Sequence, residues 1–258
     1  MQVQQVTCFG ARAGEGNPAL VVQGGPADAA SRQAFAQDSG VSACVFIDDD
    51  GDPRSAQVLD YYYPHMRSPL CLHATLAAAH VLFAQQGSSA PLTVKTALRG
   101  QVLALSREGD ELFVALTRQQ AEAVAPPAEQ VAALLSAPGL VLRSAPVVAS
   151  VGSPKLLVEV ADPAILAGLR PDLPGIVAWG RGAGVNGVYA YCRLEDGSYE
   201  GRNFNHLDPA QEDSATGVAA GALSVRLGRG ITLRQGGGRC LIRTRMQDDT
   251  ILVGGRAF

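Results

Sequence analysis

The sequence predicts an α+β fold of two pseudo-symmetric halves, each a mostly antiparallel curved sheet or barrel around one central helix. Three observations carry this. The order of motifs that begins GVSACVFIDDDG at Gly40 recurs as GVNGVYAYCRLEDG from Gly184, 144 positions later, and Thr75 recurs as Thr216, 141 positions later. A period of that kind marks a duplicated supersecondary unit. The segments that follow Thr75 and Thr216 read as helices that are apolar or small almost all the way round, the pattern of a helix buried on every side. Between them lie short runs of alternating polarity punctuated by Gly and Asp, as in Val41, Ala43, Val45 and Ile47, which suit half-buried strands.

The correspondence extends through the chain. Asn17-Pro18-Ala19-Leu20-Val21-Val22 is matched by Ser153-Pro154-Lys155-Leu156-Leu157-Val158. Leu92–Lys95 is matched by Ile231–Arg234, and Leu112–Val114 by Ile251–Val253. The predicted domains are therefore 1–118 and 119–258, with a connector at about 119–144 that holds one helix, and with terminal strands free to cross over. Asp48–Asp52 reads as a hairpin tip in which Gly51 supplies a positive φ, and Glu195-Asp196-Gly197 is its counterpart. The acidic cluster lacks the spaced ligands and distal Glu of a calcium loop.

Composition limits the function classes. The 258 residues are 47% hydrophobic and 17% charged, enough apolar material for two cores. A net charge of −3 without a Lys/Arg run argues against nucleic acid or an anionic membrane as a partner. No stretch approaches the roughly 18 apolar residues of a membrane span. The start MQVQQVTCFG lacks the basic and apolar regions of a secretory signal, so a cytoplasmic protein is expected. Five scattered cysteines fit reduced thiols.

The first turn of a helix offers unpaired N–H groups and the positive end of the helix dipole, which favour anions. Helix starts at Leu72–Thr75 and Asp213–Thr216, related by the repeat, are expected to line a shared cleft for a small anionic metabolite. His73 and Asp213 beside them suit general acid–base chemistry. Asp213 also reads as an N-cap, and His73 as a core or capping histidine.

Taken in order, the segments GNPALVV, LCLHATLAAAHVLF, EDSATGVAAGAL and QGGGRCLIR…ILVGG resemble the PhzF phenazine-biosynthesis-like family along essentially the whole chain. The resemblance implies a diaminopimelate epimerase-like fold with its active site between two barrels. It implies cofactor-independent isomerisation or epimerisation of small acids by proton shifts, and a homodimer. His73 and Asp213 match the family's histidine and aspartate and are the expected catalytic pair, with no metal. Leu72, Ala74, Thr216, Gly217, Val218 and Asn17 are the expected substrate-binding residues.

The sequence departs from the family pattern at three positions. Ala43 stands where the resemblance places the principal glutamate base, Leu72 where it places a glycine, and Val218 where it places a serine. A family member that has lost its chemistry and binds a metabolite or a partner is therefore the alternative. Cys44 and Cys71 adjoin the positions of interest, and a thiol-dependent enzyme is a third reading. Cys44 is expected on the far face of its strand, because neighbouring strand residues point oppositely. Zinc at His65, His73 and His80 is disfavoured for want of a compact ligand set. Arg67 and Arg202 are read either as contacts for a second acidic group or as surface arginines.

Overall fold

A computed structural model of the chain describes residues 1–49, 56–121, 124–204 and 212–258. Two compact units result, one of Met1–Ala115 with Gly254–Phe258 and one of Leu116–Val253. Of the predicted hairpin tip, Asp50–Asp52 lie outside the described residues.

The first unit runs β1 (Gln2–Cys8), β2 (Asn17–Gln23), α1 (Ala29–Asp38), β3 (Ala43–Asp48), β4 (Gln57–Tyr63), β5 (Met66–Ser68), α2 (Leu72–Gln86), β6 (Leu92–Thr96), β7 (Val102–Glu108) and β8 (Glu111–Thr117). Its sheet order is β1-β2-β3-β4-β6-β7-β8, with β5 added to β4. The pairs β2/β3 and β4/β6 are parallel, whereas β1/β2, β3/β4, β6/β7 and β7/β8 are antiparallel. Each parallel pair is bridged by a helix, as a parallel crossover requires. The helix is α1 in one case and α2 in the other.

The second unit repeats the plan. It contains α3 (Ala128–Leu134), β9 (Val147–Ala149), β10 (Lys155–Glu159), α4 (Pro163–Gly168), α5 (Leu173–Ala183), β11 (Val188–Arg193), β12 (Tyr199–Phe204), α6 (Gly217–Leu227), β13 (Thr232–Gln235), β14 (Cys240–Gln247) and β15 (Thr250–Arg256). The order β9-β10-β11-β12-β13-β14-β15 is again parallel at β10/β11 and β12/β13. There α4 with α5, and then α6, make the crossovers. The predicted mostly antiparallel sheet around one helix is thus present in each half. The chain's end, Gly254–Phe258, returns to the first unit, where Thr7 and Phe258 exchange backbone hydrogen bonds of 2.9 and 3.0 Å.

Burial follows the sequence pattern. Every residue from Leu72 to Ala79 in α2 is buried, and so are Gly217 and Ala219–Ser224 in α6. A Cβ at Gly221 would lie 2.7 Å from a Val151 methyl and 3.1 Å from one of Val253, so the glycine is what admits those side chains against α6. On the other face of the first sheet Val22, Cys44, Phe46 and Tyr62 pack with Ala36 of α1. Leu156, Val158, Val188, Ala190, Cys192 and Phe204 do the same beneath Leu166 of α4 and Ile176 of α5. Alternation therefore assigns Cys44 to the outer layer, away from α2. No helix among the described residues is long and apolar enough to cross a membrane.

The two central helices end in register and begin out of register. Their C-caps, Gly87 and Gly228, are 141 positions apart and both adopt the left-handed conformation, with φ of 65°. Their first residues, Leu72 and Gly217, are 145 positions apart. Helix α2 starts at Leu72, the first residue of the expected Leu72–Thr75 segment, whereas the N-cap of α6 is Thr216 and not Asp213. Asp213 precedes the helix, in the place that the first residue of α2 occupies in the other half.

Candidate active site

In the first unit α2 starts directly from the extended N-cap Cys71, and this puts His73 in its first turn. The imidazole is 7% exposed. Its Nδ1 lies 3.4 Å from Cys71 Sγ, and its Nε2 lies 3.3 Å from Ser42 Oγ. Ser42 is also 2.8 Å from Asn17 Oδ1 and 2.7 Å from the Pro18 carbonyl. Because β2 and β3 run parallel from these residues, Asn17, Ser42, His73 and Cys71 form one chain of polar contacts. Burial by itself raises the Cys71 thiol, but the charge and hydrogen bonding of His73 outweigh it and draw the thiol below its ordinary 9.0. Tyr63 and the Ala74 N–H assist, the latter without forming a full capping bond. Cys71 and His73 thus form a thiol–imidazole pair whose geometry favours the ionised thiol.

Ala43 begins β3, is buried, and pairs with Ala19. It presents a methyl group on the face opposite Cys44. Leu72 is buried as well. Asn17 is 1% exposed and accepts a hydrogen bond from Ser42. Sequence reasoning missed Ser42. Its position immediately before Ala43 was the available signal.

In the second unit Asp213 pairs across a single bridge with Asn203 of β12. Thr216 Oγ1 donates to Asp213 Oδ2 at 2.6 Å. Gln235, at the end of β13 and fully buried, donates from Nε2 to the Asp213 carbonyl at 2.7 Å and accepts the Thr216 N–H at 3.2 Å on Oε1. Tyr189 donates to the same Oε1 at 3.1 Å. One side chain thus satisfies backbone groups that a further helical turn would have satisfied, which is why α6 starts four residues later in the repeat than α2 does. Thr216, predicted to bind substrate, has its N–H and hydroxyl bonded to Gln235 and Asp213. The N–H groups of Gly217 and Val218 open α6, and Val218 is half-buried.

Lys155 is the second residue that sequence reasoning missed. It is 3% exposed on β10 and donates to the Asn186 carbonyl. Burial lowers its ammonium from 10.5 to about 8, against the opposing pull of Asp213. Its signal was a lysine in a strand whose repeat partner is Ala19.

Other candidates have structural partners. Arg67 bonds Asp60 at 2.8 Å, joining a buried cluster in which Arg32 bonds Asp48 at 2.7 Å and Asp60 at 3.0 Å. Arg202 bonds Glu212 at 2.7 Å and donates to the carbonyls of Leu166 and Leu169. His65 stacks on Tyr63, whereas His80 is half-buried on α2. Among the described residues no three His, Cys, Asp or Glu side chains group as a metal site.

Comparison with known proteins places this architecture. The family model described as phenazine biosynthesis-like protein, PhzC-PhzF, matches residues 6–243. The chain belongs to this family. An uncharacterized isomerase of Pseudomonas aeruginosa is 29% identical over 268 residues, which span 100% of this chain and 95% of that protein. The PhzF-family protein of Bacillus anthracis superposes with a TM-score of 0.81 at 19% identity, covering 100% of this chain and 97% of the other. A hydroxyproline epimerase of Agrobacterium vitis shares the fold at a TM-score of 0.66 and 13% identity, over 100% of this chain and 90% of its own. The diaminopimelate epimerase-like architecture read from the sequence is therefore the one the PhzF family adopts here.

Proposed function

We propose that the chain is a cofactor-independent isomerase or epimerase that moves a proton on a small amino or hydroxy acid, with Asp213 and His73 as the exchanging groups. The observation that carries this is that each unit presents one acid–base side chain at the start of its central helix, held in place by dedicated partners. Thr216 fixes the Asp213 carboxylate at 2.6 Å, and Cys71 and Ser42 flank the His73 ring. The relative named as an isomerase supports the same class.

The chemistry follows from those groups. The N–H groups of Gly217 and Val218 hold the substrate carboxylate at the positive end of α6 and stabilise the charge that builds up when the adjacent carbon loses its proton. Asp213 accepts that proton, and protonated His73 returns one. Incubating α-amino and α-hydroxy acids with the protein in D2O tests this reading, with deuterium uptake read by mass spectrometry. Uptake that falls by at least about 100-fold in Asp213→Asn is expected. If no acid exchanges, or the variant exchanges at the parental rate, the assignment fails.

A second reading rests on the 3.4 Å contact between Cys71 and His73. Here the Cys71 thiolate is the base, in place of a carboxylate at Ala43, and His73 is the cation that keeps it ionised. Cys71→Ser then abolishes exchange. Under the first reading it retains most of the rate.

A further inference from the structure

Asn203 is the one buried side chain among the described residues whose polar atoms are all unpartnered. It is 0% exposed, and neither Nδ2 nor Oδ1 meets a hydrogen-bond partner. Folded proteins rarely leave such groups unmet, because desolvation without a replacement bond is costly. Exchanging the amide's nitrogen and oxygen does not help, since either orientation leaves one donor and one acceptor open.

The location gives these atoms a purpose. Asn203 is bridged to Asp213, and its neighbour Phe204 belongs to the outer core beneath α4 and α5. By alternation the Asn203 amide lies on the opposite, inner face, with Lys155, Tyr189 and α6. Lys155 carries three N–H donors, of which the Asn186 carbonyl takes one. Asp213 and Val218, on either side of the α6 N-cap, are only half-buried, so this end of the helix reaches solvent.

We infer that Asn203, with Lys155, forms a specificity subsite beside Asp213 for a ligand that carries an acceptor and a donor on neighbouring atoms, an α-hydroxy or α-amino carboxylate. The amide N–H meets a carboxylate oxygen, and the amide oxygen accepts from the hydroxyl or ammonium group on the adjacent carbon. Lys155 contributes the positive charge that keeps a carboxylate there. The choice of ligand rests on the isomerase reading, whereas the subsite itself rests on Asn203.

Lactate and propionate, which differ in the α-hydroxyl alone, are the probes. In 1H–15N spectra of the full chain, the Asn203 side-chain amide is assigned by its loss in Asn203→Leu. Lactate is expected to shift that resonance and to bind at least about tenfold more tightly than propionate. The preference is expected to vanish in Asn203→Leu, and also in Asn203→Asp, which keeps volume and polarity should the leucine variant fold poorly. Equal affinity for the two acids, no binding of lactate, or a preference that survives both substitutions overturns the proposal. Lactate bound through Asn203 without deuterium exchange of any acid overturns the isomerase reading and leaves the subsite standing. Exchange that is unchanged in Asn203→Leu removes the subsite alone.

Discussion

Cys71 and His73 are separated by one residue in sequence, yet their coupling depends on the abrupt start of α2, which turns both side chains to the same place. Desolvation opposes ionisation of the thiol, and the imidazole overrides it. Replacing the imidazole should therefore leave desolvation in command. Alkylation of Cys71 by iodoacetamide, followed by peptide mass spectrometry, is expected to persist below the ordinary thiol range. In His73→Gln its inflection moves upward by at least about one pH unit. An unmoved inflection would show that the contact is not electrostatic. Cys44, raised by burial and packed in the outer layer, serves as the unreactive internal control. Asn203 poses the opposite case, a cost with no repayment inside the fold. Asn203→Leu removes two unmet polar atoms at similar volume, and thermal denaturation should show Tm rising by roughly 2–4 °C. An unchanged or lower Tm means the amide is satisfied in solution, by an ordered water for example.

Among the elements, α6 differs from α2 because of Gln235. Its side chain meets the Asp213 carbonyl and the Thr216 N–H, and it also receives the Tyr189 hydroxyl. Gln235→Leu strands those groups in a buried setting. Chemical denaturation is expected to reveal a loss of about 2–4 kcal/mol. Because Asp213 loses its anchor, deuterium exchange should decline even where the variant remains folded. A variant as stable as the parent would contradict this account of the shortened helix. The repeat was legible because strand alternation and small-residue helices are local patterns. The shift in helix start was not, since Gln235 lies nineteen positions beyond the Thr216 N–H it receives.

For the molecule as a whole, Lys155 links the site to stability. The unfolded chain holds this proton up to about 10.5, whereas the folded chain releases it near 8. Between those values the unfolded state binds more protons, so this group makes stability rise with pH. Below about 8 the lysine is charged in both states, and its burial costs about 3 kcal/mol. Lys155→Met should accordingly be more stable than the parent at pH 7, by up to about 3 kcal/mol, with the gain shrinking from pH 8 to 10.5. Urea denaturation of both proteins across that range checks it, and a gain independent of pH would refute the linkage. Such a stabilised variant, if deficient in binding small carboxylates, would also display the familiar conflict between site chemistry and stability.

The order of the repeated motifs, the two buried helices and the outward turn of Cys44 were all readable from the sequence. Each rests on a periodicity, a local turn signal, or a motif held within a few residues. Tertiary structure alone decided that Ser42 and Cys71 flank His73, that Gln235 holds the chain ahead of α6, and that Lys155 and Asn203 border Asp213. These are relations between strands and helices distant along the chain. Whether a buried lysine or amide is paired depends on distances and desolvation that arise only after the sheet closes around its helix.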